Sequence, residues 1–156
     1  MAQDHQKQTR PIYVLNGPNL NLIGEREPQI YGRETLSDIE KAMRAKAREQ
    51  GRDIVFRQTN REGELVNWIQ EARQAASAVI LNAGGYSHTS IAILDACRAL
   101  RIPLIEVHLS NPFAREVYRR HSYISEAAKG VICGFGAAGY LIALDALAEM
   151  VKAGGT

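Results

Sequence analysis

The stretch AVILNAGGYSH, residues 78–88, decides the fold class of this chain. It runs through four apolar residues without interruption and then enters a polar, glycine-rich turn. A second run, PLIEV at residues 103–107, is almost as continuously apolar. Strands of this kind are typical of a parallel sheet that helices cover on both faces. The two runs therefore favour an α/β domain.

Outward from these runs, strand-like and helix-like patterns alternate along the chain. Strands are predicted at residues 12–15, 53–58, 78–81, 103–107 and 131–133. Helices are predicted at residues 35–50, 62–74, 89–100, 114–120 and 137–152, from apolar spacing and stop signals. This alternation predicts a doubly wound α/β fold, a five-stranded parallel sheet with helices on both faces.

Length and composition fit one domain at residues 10–156, preceded by a polar tail at residues 1–9 that we expect to be disordered. The tail lacks the apolar centre of a signal peptide, and no apolar run approaches the roughly 20 residues that span a bilayer. A net charge of +2, with both signs mixed along the chain, predicts neither nucleic-acid nor membrane binding. Cys97 and Cys133 are too few for a disulfide framework, so we expect buried, inert thiols and a cytoplasmic protein.

In an open α/β sheet, ligands bind outside the carboxyl ends of the strands. The segments that follow the predicted strands carry most of the chemically able side chains. These are Asn16 and the loop at about 17–32, which holds Arg26 and Tyr31; Asn82 to His88; and Glu106, His108, Leu109, Ser110, Arg115 and Arg119. The clustering indicates an active site at this edge.

Glu106 and His108 alternate in a strand and so share one face. A carboxylate at that spacing can orient the imidazole of a base or acid, or the two can form a purely structural contact. Zinc is a further alternative, with His88 as the third ligand. Arg115 and Arg119 lie four apart on a predicted helix, where they form either a carboxylate clamp or a solvated basic face.

The loop at 17–32 is long for a connector, and such loops often bind ligands or act as lids. Tyr31 near its end is a poor base at neutral pH as a neutral phenol. A cation such as Arg26 favours the anionic form and makes the tyrosine a usable general base. The alternative is a loop tyrosine that packs on the sheet edge. Asn82 and His88 are likewise either ligand contacts or groups that tie loops together.

Other occupants of this fold lack their signatures here. Pro18 stands where a flavin-binding loop needs backbone N–H donors, and Asn82 stands where a receiver domain has its aspartate. The GxGxxG turn of a dinucleotide-binding fold is absent. These absences weaken the alternatives without establishing an enzyme.

Four motifs in order, NGPNLNLIGEREPQIYG, LNAGGYSHTS, IEVHLSN with AREVYRRHSY, and GVICGFGAAGY, resemble those of type II 3-dehydroquinate dehydratases. The resemblance covers nearly everything after the tail. It implies a flavodoxin-like subunit, a homo-dodecamer built as a tetramer of trimers, and loss of water from 3-dehydroquinate to give 3-dehydroshikimate in the shikimate or quinate pathway. It also implies that no metal or other cofactor is used.

The resemblance assigns catalytic roles to five residues. Tyr31 matches the proton-abstracting tyrosine, and Arg26 matches the arginine that holds it as tyrosinate. His108 matches the general acid, and Glu106 matches its orienting carboxylate. Asn16 matches a residue that stabilises the enolate through a water molecule.

The remaining matches concern binding. Substrate contacts are implied for Asn82, His88, Leu109, Ser110 and Arg119. Asp95 matches a residue that reaches a neighbouring subunit's site, and Arg115 matches an arginine of the lid and interface region. A rival from another class is a non-catalytic module that binds a small carboxylate through Asn82, His88 and Arg119.

Overall fold

A single parallel sheet of five strands, in the order β2-β1-β3-β4-β5, forms the centre of the computed structural model, which describes residues 10–154. The strands are β1 (Ile12–Asn16), β2 (Ile54–Gln58), β3 (Ala78–Asn82), β4 (Leu104–His108) and β5 (Gly130–Cys133). The helices are α1 (Pro28–Tyr31), α2 (Leu36–Glu49), α3 (Glu62–Ala75), α4 (Ile91–Arg98) and α5 (Ala138–Lys152). This strand order is flavodoxin-like, so the predicted fold class is confirmed. The expected disordered tail lies outside the described residues.

Two apolar cores cover the two faces of the sheet. Along β1, Ile12 and Val14 pack into the core beneath α2 and α5, whereas Tyr13 and Leu15 pack into the core beneath α3 and α4. All side chains of β1, β3 and β4 are buried. The continuous apolar character of the strand sequences follows from this double covering.

Strand alternation also assigns the polar strand ends to faces. Asn16 and Asn82 are register partners at the ends of β1 and β3, on the face covered by α5. Glu106 and His108 follow Leu104 at alternate positions, on the opposite face. Strand order reverses between β1 and β3, which opens a crevice where ligands bind in such sheets.

The loop between β1 and α2 is more ordered than its composition suggested. A 3-10 turn at Leu20–Leu22 and the short helix α1 lie within it, and Leu20 and Ile23 are buried in the core. Glu27 holds a left-handed backbone, with φ of 43°, immediately before the proline that begins α1. The apolar anchors fix the base of the loop and carry Tyr31 to the sheet edge.

The predicted helix at 114–120 is wrong. Two short 3-10 turns, Pro112–Ala114 and Val117–Arg119, replace it, because Arg115 and Glu116 both adopt extended backbone. A single helical turn gains too few hydrogen bonds to offset the cost of starting one, so short segments follow their tertiary contacts. Arg115 and Arg119 therefore do not share a helical face.

Two smaller expectations, a helix that begins at residue 89 and burial of both cysteines, are corrected in part. His88 ends a 3-10 turn, Gly84–His88, and α4 begins three residues later behind the Ser90 cap. Cys97 is buried, and burial together with the nearby Glu106 carboxylate raises the pKa of its thiol to about 12. Cys133 is only partly buried, because it lies on the edge strand β5.

Within residues 10–154, no helix combines the length and apolar character needed to cross a bilayer.

Candidate active site

A pocket of about 170 Å³ opens at the carboxyl ends of the central strands. Nine of the residues proposed from the sequence line it, which are Arg26, Tyr31, Asn82, His88, His108, Leu109, Ser110, Arg115 and Arg119. They come from the loop after β1, the turn after β3 and the segment after β4. The topology thus brings three distant parts of the chain to one crevice.

Two guanidinium groups lie close to the ring of Tyr31. The Cζ atoms of Arg26 and Arg115 are each 5.2 Å from the centre of its ring. Arg115 is 15% exposed at its side chain and donates from Nη1 to the Ser110 hydroxyl at 3.3 Å. The ring proposed as the base is therefore close to guanidinium groups from two separate parts of the chain.

The imidazole of His108 is hydrogen bonded through Nε2 to the carboxylate of Glu106, which is completely buried. Two serine hydroxyls also donate to this carboxylate, Ser122 to Oε2 at 2.7 Å and Ser125 to Oε1 at 2.6 Å. Burial alone would raise the pKa of Glu106, but its hydrogen bonds and its attraction to His108 outweigh burial and lower it. An anionic Glu106 accepts from Nε2–H, which leaves Nδ1 of His108 free to exchange a proton with a ligand.

His88 lies beside His108, with ring centres 6.4 Å apart and planes inclined by 17°. Its Nδ1 is 2.7 Å from the carbonyl oxygen of His121. Because a carbonyl only accepts, Nδ1 carries the hydrogen and Nε2 remains for the pocket. His121, which had no predicted role, thereby sets the tautomer of His88 through its backbone.

Three of the proposed site residues do not line this pocket, and Glu106, the buried partner of His108, is one of them. Asn16 is fully buried, and its side chain is held by the Arg57 carbonyl at 3.1 Å and the Tyr140 hydroxyl at 2.7 Å. Asp95 is exposed on α4. Neither the Asn16 side chain nor the Asp95 side chain forms part of the wall of this pocket.

Sequence reasoning missed three residues that hold the site together: Ser122, Ser125 and Tyr140. The serines lie in an irregular segment around the 3-10 turn Ile124–Glu126, where no periodic pattern marks a side chain that reaches the sheet. In the sequence, Tyr140 cannot be distinguished from the apolar core residues of α5. The one available signal was that both regions lie in or beside the motifs already quoted.

The donors proposed for zinc are not arranged as a metal site. Among the residues that the structure describes, no three or more His, Cys, Asp or Glu side chains are grouped so that they could hold a metal ion. His108 instead gives Nε2 to Glu106, and His88 gives Nδ1 to a backbone carbonyl.

The fold and the site together define a class: a flavodoxin-like α/β protein whose crevice holds an arginine-flanked phenol and a carboxylate-oriented imidazole. The sequence model of the family described as dehydroquinase class II matches residues 10–148. The chain therefore belongs to the class II dehydroquinase family, as the four sequence motifs suggested.

Curated relatives and solved structures agree. The chain is 57% identical over 144 residues to a 3-dehydroquinate dehydratase of Phenylobacterium zucineum, covering 92% of this chain and 99% of that one. It is 55% identical over 144 residues, with the same coverage, to one of Caulobacter vibrioides. The type II dehydroquinase structure from Propionibacterium acnes matches with a TM-score of 0.87 at 45% identity, covering 90% of this chain and 97% of that chain.

Proposed function

We propose that this enzyme removes water from 3-dehydroquinate to give 3-dehydroshikimate, with Tyr31 as base and His108 as acid. The observation that carries the proposal is the presence of both groups in one pocket. The centre of the Tyr31 ring is 5.2 Å from the Cζ atoms of Arg26 and Arg115, and the His108 imidazole is hydrogen bonded to the buried Glu106 carboxylate. The names of the relatives supply the substrate, and the pocket supplies a base and an acid for its two proton transfers.

The first step breaks a C–H bond beside the substrate's ketone. Tyr31, held anionic by Arg26 and Arg115, takes that proton, and the electron pair moves toward the ketone oxygen to form an enolate. Asn16 stabilises this charge through a water molecule, for which its Nδ2 has one hydrogen left after the bond to Arg57. Such charge stabilisation in a water-poor pocket is a large part of the catalysis.

In the second step the enolate expels the substrate's hydroxyl group. His108 donates its proton to the departing oxygen, so that water leaves and the carbon–carbon double bond forms. Glu106 stabilises the imidazolium before the transfer and keeps the ring oriented. Balanced over both steps, Tyr31 holds the proton taken from carbon and His108 has lost one, and exchange with solvent resets both.

Binding of the substrate falls to the rest of the pocket. Arg119 meets the carboxylate charge, and its position is fixed by a 2.8 Å bond from Nε to Glu116. Asn82, His88, Ser110 and the backbone of Leu109 contact the hydroxyl and carboxylate oxygens. Polar groups at fixed positions are what a polyhydroxylated, anionic ligand requires.

The segment 17–32 acts as the lid of a single catalytic domain, residues 10–156. Arg26 and Tyr31 both belong to it, so closure over a bound substrate would complete the base and exclude water at once. Gly24 and Gly32 both hold positive φ angles, 92° and 85°, in this stretch.

Assembly and location complete the proposal. A cytoplasmic homo-dodecamer, a tetramer of trimers, would cover the large exposed apolar side chains of Val117 and Tyr118. It would also bring Asp95 of one subunit to the pocket of another. Light scattering after size exclusion measures the mass, and a monomer of 17.2 kDa in solution would refute this part.

One experiment tests the activity directly. The purified protein is incubated with 3-dehydroquinate, and the ultraviolet absorbance of the conjugated enone is followed. Appearance of the enone at a rate proportional to enzyme supports the proposal. Tight binding without absorbance would instead favour the rival, a carboxylate-binding module that uses Asn82, His88 and Arg119. The proposed chemistry uses no metal or cofactor, so activity that EDTA abolishes and zinc restores would contradict it.

A further inference from the structure

The ends of β1 and β3 are joined by a chain of hydrogen bonds that passes through the hydroxyl of Tyr140. Tyr140 Oη donates to Asn16 Oδ1 at 2.7 Å and accepts from Asn82 Nδ2 at 3.0 Å. Beyond these, Asn82 Oδ1 accepts from the Gly84 N–H at 3.2 Å, and Asn16 Nδ2 donates to the Arg57 carbonyl at 3.1 Å.

The direction of this chain is unique. Its two ends are backbone groups that cannot change role, because the Gly84 N–H can only donate and the Arg57 carbonyl can only accept. Each amide must therefore point its oxygen toward the Gly84 side and its nitrogen toward the Arg57 side. Tyr140 is fully buried, and burial raises the pKa of its hydroxyl well above the ordinary range, so it keeps the proton that the chain requires.

We propose that Tyr140 is a positioning residue that holds the side-chain amides of Asn16 and Asn82 in the orientations that the two backbone ends select, so that each keeps one N–H for the ligand and its water. The inference rests on the proposed function for its kinetic consequence, although the orientation itself is independent of the reaction. Asn82 lines the pocket and Asn16 is fully buried, so one buried hydroxyl joins and holds both amides.

The test replaces Tyr140 with phenylalanine, which keeps the ring in the core and removes only the hydroxyl. Tyr13→Phe is the matched control, because Tyr13 is a buried tyrosine that donates to Glu71 on the other face of the sheet, outside the pocket. We expect Tyr140→Phe to lower kcat/KM for 3-dehydroquinate by about 10- to 100-fold through misplaced donors. Tyr13→Phe should leave both kinetic constants unchanged, even if it lowers the melting temperature as much.

A double substitution separates positioning from simple loss of stability. If Tyr140 acts partly through Asn82, then Tyr140→Phe should cost several-fold less in kcat/KM when Asn82 is already alanine. Fully additive losses in kcat/KM, or wild-type kcat and KM for a folded Tyr140→Phe enzyme, would overturn the proposal.

The side-chain amide signals of Asn16 and Asn82 in a ¹⁵N NMR spectrum give a readout that does not depend on activity. We expect slow hydrogen exchange of these amide protons in the wild type and Tyr13→Phe, and faster exchange in Tyr140→Phe. If the wild type fails to dehydrate 3-dehydroquinate, the proposed function fails, and these signals still decide the positioning role. Unchanged exchange in Tyr140→Phe would refute that role on its own.

Discussion

Arg115 places its guanidinium carbon 5.2 Å from the centre of the Tyr31 ring, the same distance as Arg26 on the lid segment. The two cations come from different parts of the chain, one after β1 and the other after β4. The sequence resemblance implied a lid and interface role for Arg115. Its position near Tyr31 places a second cation beside the residue proposed as the base.

Removal of either cation should slow the reaction and move its pH dependence. For Arg115→Ala and Arg26→Ala we expect kcat to fall by roughly 100-fold, because each leaves the phenolate less stabilised. We also expect the ascending limb of the pH–rate profile to move to higher pH. Arg33→Ala, an exposed arginine just beyond the lid, is the control. If the ascending limb of the pH–rate profile stays at the same pH in both variants, then a group other than Tyr31 determines its position.

Tyr31→Phe tests the base itself. The substitution removes the hydroxyl but keeps the ring beside the two arginines, so substrate binding should persist while kcat falls by about 10³-fold or more. Stopped assays with substrate give kcat, and calorimetric titration with substrate gives the affinity. Turnover within a few-fold of the wild type would remove Tyr31 from the mechanism.

The buried Glu106 carboxylate predicts a pH-dependent share of stability. Its folded pKa is lowered, so the stabilisation is fully present above the unfolded pKa, near 4.3, and is lost as pH falls through the folded value. The unfolding free energy of the wild type minus that of Glu106→Gln should therefore shrink below about pH 4, by at most about 1.4 kcal/mol per pH unit.

Urea denaturation of both proteins between pH 7 and pH 3 measures this difference. Ser122→Ala should reduce the effect, since it removes one of the hydrogen bonds that lower the pKa of Glu106. A difference that stays constant over the whole range would mean that Glu106 is not the group responsible.

The backbone around Gly17 leaves no room for a side chain. A Cβ placed there would lie 2.4 Å from the carbonyl oxygen of Ala83, so the loops after β1 and β3 would have to separate. We expect Gly17→Ala to lower the unfolding free energy by about 1–3 kcal/mol and to reduce activity. Gly63→Ala is the control, because Gly63 is an exposed glycine near the start of α3 with open space around it.

At Gly63 alanine should raise stability by up to about 1 kcal/mol, since it restricts the unfolded chain and favours the helix. Chemical denaturation of Gly17→Ala, Gly63→Ala and the wild type measures these changes in unfolding free energy. Equal unfolding free energies of Gly17→Ala and the wild type would show that the two loops can separate without a loss of stability.

The sheet was predictable because continuous apolar strands and periodic helices report burial directly. Glu106 and His108 were placed on one face by alternation alone, and the structure pairs them. The segment around Arg115 was not predictable, because its backbone follows individual contacts to Ser110 and Glu116 rather than a period. Ser122 and Tyr140 were missed for a related reason: their roles depend on partners 16 and 58 residues away, which no local pattern encodes.

Tyr140 lies 124 positions after the asparagine to which it donates. The first four strands, up to His108, all precede it in the chain and are therefore synthesised before this hydroxyl. Until then both amides lack the hydroxyl that joins them. A newly made chain acquires its finished pocket only when the final helix docks, so catalytic competence reports that folding is complete.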